Sequence, residues 1–298
     1  MKAICVGHAT YDITLPVETF PVENKKIRLE ESIENGGGPA ANASYLLALW
    51  NVDTTILSAI GDDYYGKLII DEFRQVKAHT EYIDKVKNHK TSSSYIIANL
   101  KKGTRTILTV KDKPIRKLSY NENLKADIVL VDGEHPETAM KVLKDNKKAI
   151  SILDAGRVNE DTKALGKLVT YVICSKDFAE EFTKIKIDYS NEETIISCYE
   201  HLKDYYNTNI IITLEEKGSF TKIDEKYCQF PSVKEKSLDS TGAGDIFHGA
   251  FAYFISAGYK LKDAIRYASI AGAISVTKVG SRYSIPELEE VLNYDDII

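Results

Sequence analysis

The sequence lacks the features of several large protein classes. It has only four cysteines in 298 residues, without Cys-x-x-Cys spacing, so neither a disulfide framework nor a cysteine-based zinc site is expected. No run approaches the roughly 18 apolar residues of a membrane span. The N-terminal residues also lack the apolar core, about 7–15 residues long, of a signal peptide. We therefore expect a cytoplasmic protein that keeps its thiols reduced and has no membrane partner.

Positive charge and two common nucleotide-binding motifs are absent as well. The formal net charge is −5, and no basic tract is present, so nucleic acid is not an expected partner. No Gly-x-Gly-x-x-Gly follows the first apolar run, which argues against a dinucleotide-dependent oxidoreductase. No Gly-Lys-Ser/Thr segment of the P-loop type occurs either.

Apolar runs of strand length alternate with helical patterns. The predicted strands of this kind are residues 2–7, 55–60, 127–132, 149–154, 171–174 and 209–214. Helical patterns occupy residues 137–145, 177–184 and 192–206. Continuous apolar strands joined by helical crossovers predict an α/β fold with a mostly parallel central sheet covered on both faces. Ligands of such sheets bind beyond the carboxyl ends of the strands.

Two other segments predict a small separate sheet. Residues 12–18 and 26–33 have polar and β-branched residues with proline punctuation and no helical period. Residues 93–100 and 104–110 flank a Lys-Gly turn and predict a hairpin. We expect them to pair into a β-sheet lid, formed by about 12–34 and 92–110, on a single domain that spans 1–298.

The segment Asp-Ser-Thr-Gly-Ala-Gly-Asp at residues 239–245 comes directly before an apolar helical pattern. Its glycines allow a sharp turn that brings bare backbone close to a ligand. The start of the helix then presents unpaired N–H groups, which form an anion site. Asp245 stands beside that site, either as a helix-capping acid or as a general base for a hydroxyl that attacks a phosphoryl group.

A second glycine-rich segment, residues 36–44, also precedes an apolar helical pattern, at residues 45–50. Three glycines and a proline at a helix start predict another pocket lined by backbone. Asn42 is either a residue of that pocket or an ordinary residue of the helix surface.

Together these segments resemble the two signatures of the PfkB (ribokinase-like) carbohydrate kinases. The resemblance covers nearly the whole chain. It implies a ribokinase-like three-layer α/β/α domain and ATP-dependent phosphorylation of a primary hydroxyl of a small sugar. Asp245 would be the base, and Gly242, Ala243 and Gly244 would form the anion hole. Mg²⁺ would bridge the nucleotide phosphates.

The resemblance also implies a sugar site. Gly37, Gly38 and Asn42 match the first signature, and Asp12 matches the family's acceptor for sugar hydroxyls. Residues 174–177 and 103–107 resemble the ketohexokinase-like branch, which favours a ketose or a related carbohydrate. Arg105 of the second segment would then reach a substrate anion, or it is a solvated hairpin residue.

The nucleotide side matches the family less well. The resemblance places Ser175, Thr213, Gly218 and Gly280 at ATP. Ser175 and Phe178 replace the asparagine and glutamate of the family's Asn-x-x-Glu, and Glu215 replaces a glycine. Some members also bind K⁺, and the matching positions here are Asp239, Thr241, Ser275, Gly280 and Ser284.

Two other functions stay open at this point. A nucleoside kinase of the same fold would stack its base on an aromatic ring, for which Tyr11 and Tyr95 are candidates. A sugar- or nucleotide-binding relative without catalysis would explain the changes at Ser175 and Glu215. The family further implies a homodimer that forms through the lid.

Overall fold

The chain folds into one large sheet, one small sheet and helices packed around the large sheet. The structure is a computed structural model and describes residues 1–294. The strands are β1 Lys2–Val6, β2 Thr10–Val17, β3 Ile33–Gly37, β4 Asp53–Gly61, β5 Ile83–Val86, β6 Ser92–Asn99, β7 Thr104–Val110, β8 Ile128–Val131, β9 Ile150–Ala155, β10 Tyr171–Ser175, β11 Asn209–Thr213, β12 Ser219–Ile223 and β13 Lys226–Phe230. The helices are α1 Pro39–Leu49, α2 Tyr64–Gln75, α3 Pro136–Asp145, α4 Glu160–Gly166, α5 Lys176–Thr183, α6 Glu192–Tyr206, α7 Ala243–Ser256, α8 Leu261–Ser275 and α9 Leu288–Leu292.

The large sheet confirms the predicted α/β class. Its strand order is β13-β12-β11-β10-β9-β8-β1-β4-β5, and only the pairs β11–β12 and β12–β13 are antiparallel. Alternate residues of a strand face opposite sides, so Ile4 and Val6 enter one hydrophobic core while Ala3 and Cys5 enter the other. Both faces are therefore covered, and the domain has three layers.

The small sheet has the order β3-β2-β6-β7, so the four predicted segments do form one sheet. The bounds of one strand were wrong: residues 26–33 are largely extended loop, and the strand is Ile33–Gly37. Residues 18–32 are almost entirely exposed and have no core to pack against. Gly37 by contrast is buried against β2, where a Cβ atom would lie 1.9 Å from a carboxylate oxygen of Asp12.

Helix α1 starts six residues earlier than its apolar pattern indicates, because Pro39 fits the first helical position and small buried alanines follow it. The apolar pattern from residue 45 marks only the part with large side chains. Helices α4 and α9 and the hairpin β12–β13 were not predicted, since each is short and lacks a long apolar run.

Helices α1 and α7 pack tightly against each other. Gly249 of α7 lies close to Ala43 of α1, and a Cβ atom at residue 249 would make a tight contact of 3.1 Å with the Ala43 Cα. The chain's single tryptophan, Trp50, is buried against Tyr253 and Phe254, with ring centroids 5.2 and 5.7 Å away. Its indole Nε1 donates a hydrogen bond of 2.9 Å to the carbonyl of Pro286. This packing places the N-terminal ends of both helices side by side.

All four cysteines are free thiols, and three of them are buried. Between residues 1 and 294, no helix has the length and apolar character needed to cross a membrane.

Candidate active site

The glycine-rich segments end in two helix starts that meet at one place. Gly38 precedes α1 with φ 98°, and Gly242 precedes α7 with φ 78°, a region that disfavours residues with a side chain. Asn42, in the first turns of α1, donates a hydrogen bond of 2.7 Å from Nδ2 to Oδ2 of Asp245. The structure thus joins two predicted site residues that are 203 positions apart in sequence.

A cavity of about 390 Å³ lies between these helix starts and the small sheet. Its size falls within the range of small-molecule sites, roughly 300–1,000 Å³. Seven of the residues predicted from sequence line it: Asp12, Gly38, Asn42, Arg105, Thr241, Gly242 and Asp245. Arg105 reaches across from β7 and donates a 2.6 Å hydrogen bond to Oγ of Ser240.

Asp245 has the properties of a base that works near neutral pH. Burial, together with the negative charge of Asp154, raises its pKa to about 7, while the hydrogen bond from Asn42 and the charges of His248 and Arg105 act in the opposite direction. A carboxylate with this proton affinity can accept a proton from a hydroxyl far better than an exposed one. Its place at the start of α7 sets it beside backbone N–H groups that have no partner within the helix.

His248 and Asp154 form a buried pair that sequence reasoning missed. Nδ1 of His248 lies 2.9 Å from Oδ2 of Asp154, and both side chains are buried. Burial lowers the pKa of His248, but the carboxylates of Asp154 and Asp245 outweigh it and raise the pKa above its usual value. The charge of His248 in turn lowers the pKa of Asp245. Asp154 ends a predicted strand, and that position was the available signal.

Asp12 lies on β2 with its side chain buried in the cavity wall. Burial raises its pKa to about 6 although Ser94 and Ser281 donate hydrogen bonds to it. Oδ1 of Asp12 and Oδ1 of Asn42 have no hydrogen-bond partner among the described residues. Buried acceptors without a donor are costly, so a ligand that brings hydroxyl groups would stabilise this arrangement.

Asp132, at the end of β8, is a second residue that sequence reasoning missed. Its carboxylate accepts hydrogen bonds from the backbone N–H groups of His8, Ala40 and Glu134, at 2.8, 3.1 and 2.9 Å. It thereby ties the ends of β1 and β8 to the start of α1. Gly7 must be glycine here, because a Cβ atom would lie 2.1 Å from the Asp132 carboxylate.

A comparison with protein families shows which family the chain belongs to. Residues 1–288 match the pfkB family carbohydrate kinase model. The chain belongs to the pfkB family of carbohydrate kinases.

Known proteins agree with this assignment. The chain is 26% identical over 302 residues to a ribokinase from Staphylococcus aureus (strain COL), covering 97% of this chain and 98% of that one. A crystal structure of ribokinase from Thermotoga maritima is 26% identical, with a TM-score of 0.75 and coverage of 98% of both chains. A crystal structure from Agrobacterium tumefaciens superposes on this chain with a TM-score of 0.89 at 25% identity. The alignment covers 98% of this chain and 96% of that chain.

The pfkB kinase also has a buried polar junction behind Gly242. Asp239 accepts hydrogen bonds from the backbone N–H groups of Thr241 and Gly280, at 2.9 and 3.0 Å. The hydroxyl groups of Ser275 and Ser284 donate to the carbonyls of Gly272 and Ser281. The residues predicted to bind K⁺ thus lie around one loop junction, and their side-chain oxygens form hydrogen bonds within the protein. Whether K⁺ binds there stays a prediction.

The residues predicted for the nucleotide lie outside the 390 Å³ cavity. Ser175 caps α5 by accepting a 3.2 Å hydrogen bond from the N–H of Phe178, and it pairs with Thr213 across β10 and β11. Gly218 has φ 90°, and a Cβ atom there would lie 1.9 Å from a carbonyl oxygen. Near this turn, the carboxylate of Glu180 accepts a hydrogen bond of 2.6 Å from Nζ of Lys186.

Proposed function

We propose that this kinase transfers the γ-phosphoryl group of ATP, with Mg²⁺, to a primary hydroxyl of a small sugar. The observation that carries the proposal is Asp245 at the start of α7, hydrogen-bonded to Asn42 in a cavity that Asp12 also lines. A base, an anion site and acceptors for hydroxyl groups are the parts that phosphoryl transfer to a sugar needs.

In the proposed step, Asp245 accepts the proton of the sugar hydroxyl as its oxygen attacks the γ-phosphorus. The bond between that phosphorus and the bridging oxygen breaks, and ADP leaves with its electron pair. The N–H groups of Gly242, Ala243 and Gly244, at the positive end of the α7 dipole, would stabilise the charge on the transferring group. Gly244 has open space at its Cβ position, so a phosphoryl group could approach the backbone closely.

For the nucleotide we propose Ser175, Thr213, Gly218 and Gly280. A broad cleft of about 1460 Å³ lies between residues 230–235 and α8, and the backbone of residues 230–232 is close to Gly218. Among residues 1–294 no group of three or more acidic, histidine or cysteine side chains could hold a metal ion. That fits a Mg²⁺ ion held mainly by nucleotide phosphates and water, which is its common mode of binding. A K⁺ ion at the Asp239 junction is a further proposal.

The sugar itself is open between a ketose, which the hairpin of Arg105 favours, and ribose, after which the similar proteins are named. A nucleoside substrate is less favoured, because neither of the two tyrosines considered for base stacking is placed to stack on a base in the cavity. Tyr11 is buried and already stacked on Tyr65, with ring centroids 4.8 Å apart. Tyr95 is 41% exposed on the face of the small sheet that does not line the cavity.

The test measures ADP release with Mg²⁺ and K⁺ against fructose, tagatose, ribose and adenosine, for the wild type and for Asp245→Asn. We expect one sugar to be phosphorylated and the variant to lose about 10²-fold or more in kcat, with its affinity for the sugar kept. Turnover of adenosine alone would replace the sugar by a nucleoside. Undiminished turnover by Asp245→Asn would contradict the role of the base.

A further inference from the structure

The cavity has two ends that differ in their charged groups. Arg105, Asp154 and His248 are the charged groups that act on Asp245, which marks the catalytic end. Those that act on His8 are different: Lys111, Glu134, His135 and Arg157. We call the part of the cavity lined by His8, Lys111, Glu134 and Arg157 the distal end.

Positive charge at the distal end is only partly neutralised within the protein. Nζ of Lys111 lies 2.7 Å from Oε2 of Glu134, so these two charges cancel. Arg157 is exposed, and it forms no salt bridge with any residue between 1 and 294. Burial and the charge of Lys111 lower the pKa of His8 to about 4, so its imidazole is neutral at physiological pH. Arg157 is therefore the cation at this end that no carboxylate of residues 1–294 pairs with.

The position of Arg157 follows from the fold. It comes two residues after the end of β9, at the carboxyl edge of the sheet, where Gly156 and Asn159 also line the cavity. Lys111 comes directly after β7 on the opposite wall. Asp132 is the remaining carboxylate nearby. Its oxygens accept hydrogen bonds from three backbone N–H groups and form no salt bridge with Arg157. Arginine presents a planar fork of donors that matches phosphate or carboxylate.

From this we propose that the preferred substrate is a small sugar with an anionic group, phosphate or carboxylate, at the end remote from the phosphorylated hydroxyl. Arg157 binds that group directly, and Lys111 adds to the positive potential. The proposal rests on the proposed sugar-kinase function and narrows its substrate class. A neutral sugar would leave the Arg157 charge without a partner at the cavity wall.

The test compares matched neutral and anionic sugars with a free primary hydroxyl: fructose, fructose 6-phosphate and gluconate. kcat and KM are measured for the wild type, Arg157→Gln, Arg157→Lys and the control Arg74→Gln, which removes an exposed arginine of α2. We expect kcat/KM for one anionic sugar to exceed that for fructose at least tenfold. Arg157→Gln should lower it about tenfold or more, mainly through KM, as expected for one charge-assisted contact.

The controls separate a direct contact from a structural effect. Arg157→Lys should restore part of the loss. Arg74→Gln should leave kcat/KM for every sugar within about twofold of the wild type, and Arg157→Gln should lower kcat/KM far more for the anionic sugar than for fructose. Preference for fructose by the wild type, or an equal loss on both sugar classes in Arg157→Gln, would overturn the proposal. The test also shows whether the site prefers phosphate or carboxylate. The preferred group belongs to the sugar, fructose 6-phosphate or gluconate, whose kcat/KM falls in Arg157→Gln.

Calorimetric binding of fructose 6-phosphate and of fructose, without nucleotide, gives an answer that does not need turnover. Tighter binding of the sugar phosphate that Arg157→Gln abolishes supports the distal anion site even if no sugar is phosphorylated, in which case only the proposed function fails. Equal binding of both sugars would overturn the anion site.

Discussion

At the scale of single residues, the protonation state of Asp245 should control activity. Its pKa is raised to about 7, so the fraction in the ionised, proton-accepting form falls as pH drops below 7. We expect kcat/KM to rise with pH up to about 7 and then level off, with a fall of roughly tenfold per unit on the acid side. Protonation of Asp12 below about pH 6 would steepen that fall. A profile that is flat between pH 5.5 and 8.5 would contradict this prediction.

The His248–Asp154 pair should set where that profile lies. The charge of His248 lowers the pKa of Asp245, and the charge of Asp154 raises it. We therefore expect His248→Gln to move the acid limb of the kcat/KM profile to higher pH and Asp154→Asn to move it to lower pH. His201→Gln, at an exposed position of α6, is the matched control and should leave the profile in place. Shifts of the same sign in both variants would contradict the prediction.

The same raised pKa has a cost in stability. Asp245 has a higher pKa in the folded state than the ordinary value of 3.8, so its ionisation destabilises the fold progressively from about pH 4 to pH 7. Asp245→Asn keeps the possibility of a hydrogen bond from Asn42 and removes the charge. We expect it to raise Tm by a few degrees above pH 7, with no gain near pH 4. Calorimetric scans at both pH values measure this, and an equal Tm difference at both would contradict it.

At the scale of structural elements, the start of α7 combines a strained position and an open one. Gly242 needs its left-handed φ, whereas Gly244 is helical and has open space where a Cβ atom would go. Gly244→Ala should therefore fold with an equal or slightly higher Tm, since alanine suits a helix better than glycine. The new methyl group would crowd the proposed phosphoryl position, so we expect kcat to fall about tenfold or more. Kinetics and calorimetry of one preparation test this, and wild-type kcat would contradict it.

Strands and helices could be predicted from the sequence where burial produces long apolar runs. Elements that depend on contacts with particular neighbouring residues could not. The strands around 128–131 and 209–213 are buried on both faces, which makes them readable. Strand β3 could not be predicted from its sequence, because it ends in two glycines and has no alternating apolar pattern. Gly37 is needed there because a larger residue would collide with Asp12. Its partner β2 is 16 residues away along the chain, and no turn signal sets the register between them.

At the scale of the whole molecule, the face of the small sheet that is turned away from the cavity carries an exposed apolar patch beside the part that α2 covers at Tyr11. Tyr95, Leu108 and Val110 are 41%, 57% and 53% exposed, and none of them lines the cavity. We propose that this face forms a homodimer, in which two sheets would bury it. Leu108→Glu should then shift the protein from dimer to monomer in light scattering at tens of micromolar. Leu168→Glu, at another exposed leucine, is the control, and a monomeric wild type would contradict the proposal.

The site as a whole was predictable only in part. The glycine segments and Asp245 carry a local pattern, and their neighbours in sequence are also their neighbours in space. Arg157 and His248 carry no such pattern. Each lies near the other site residues only because the folded sheet and helices bring distant parts of the chain together. The link between Asn42 and Asp245 likewise depends on the contact of α1 with α7, which Gly249 permits.

Trp50 gives the protein a built-in optical probe. Since it is the only tryptophan and its indole is buried between α7 and the carbonyl of Pro286, its emission reports on the junction of α1, α7 and the segment before α9. Unfolding would expose the ring and shift the emission to longer wavelengths. Closure of the small sheet over a ligand would leave the ring untouched, so fluorescence would separate loss of the core from movement of the lid.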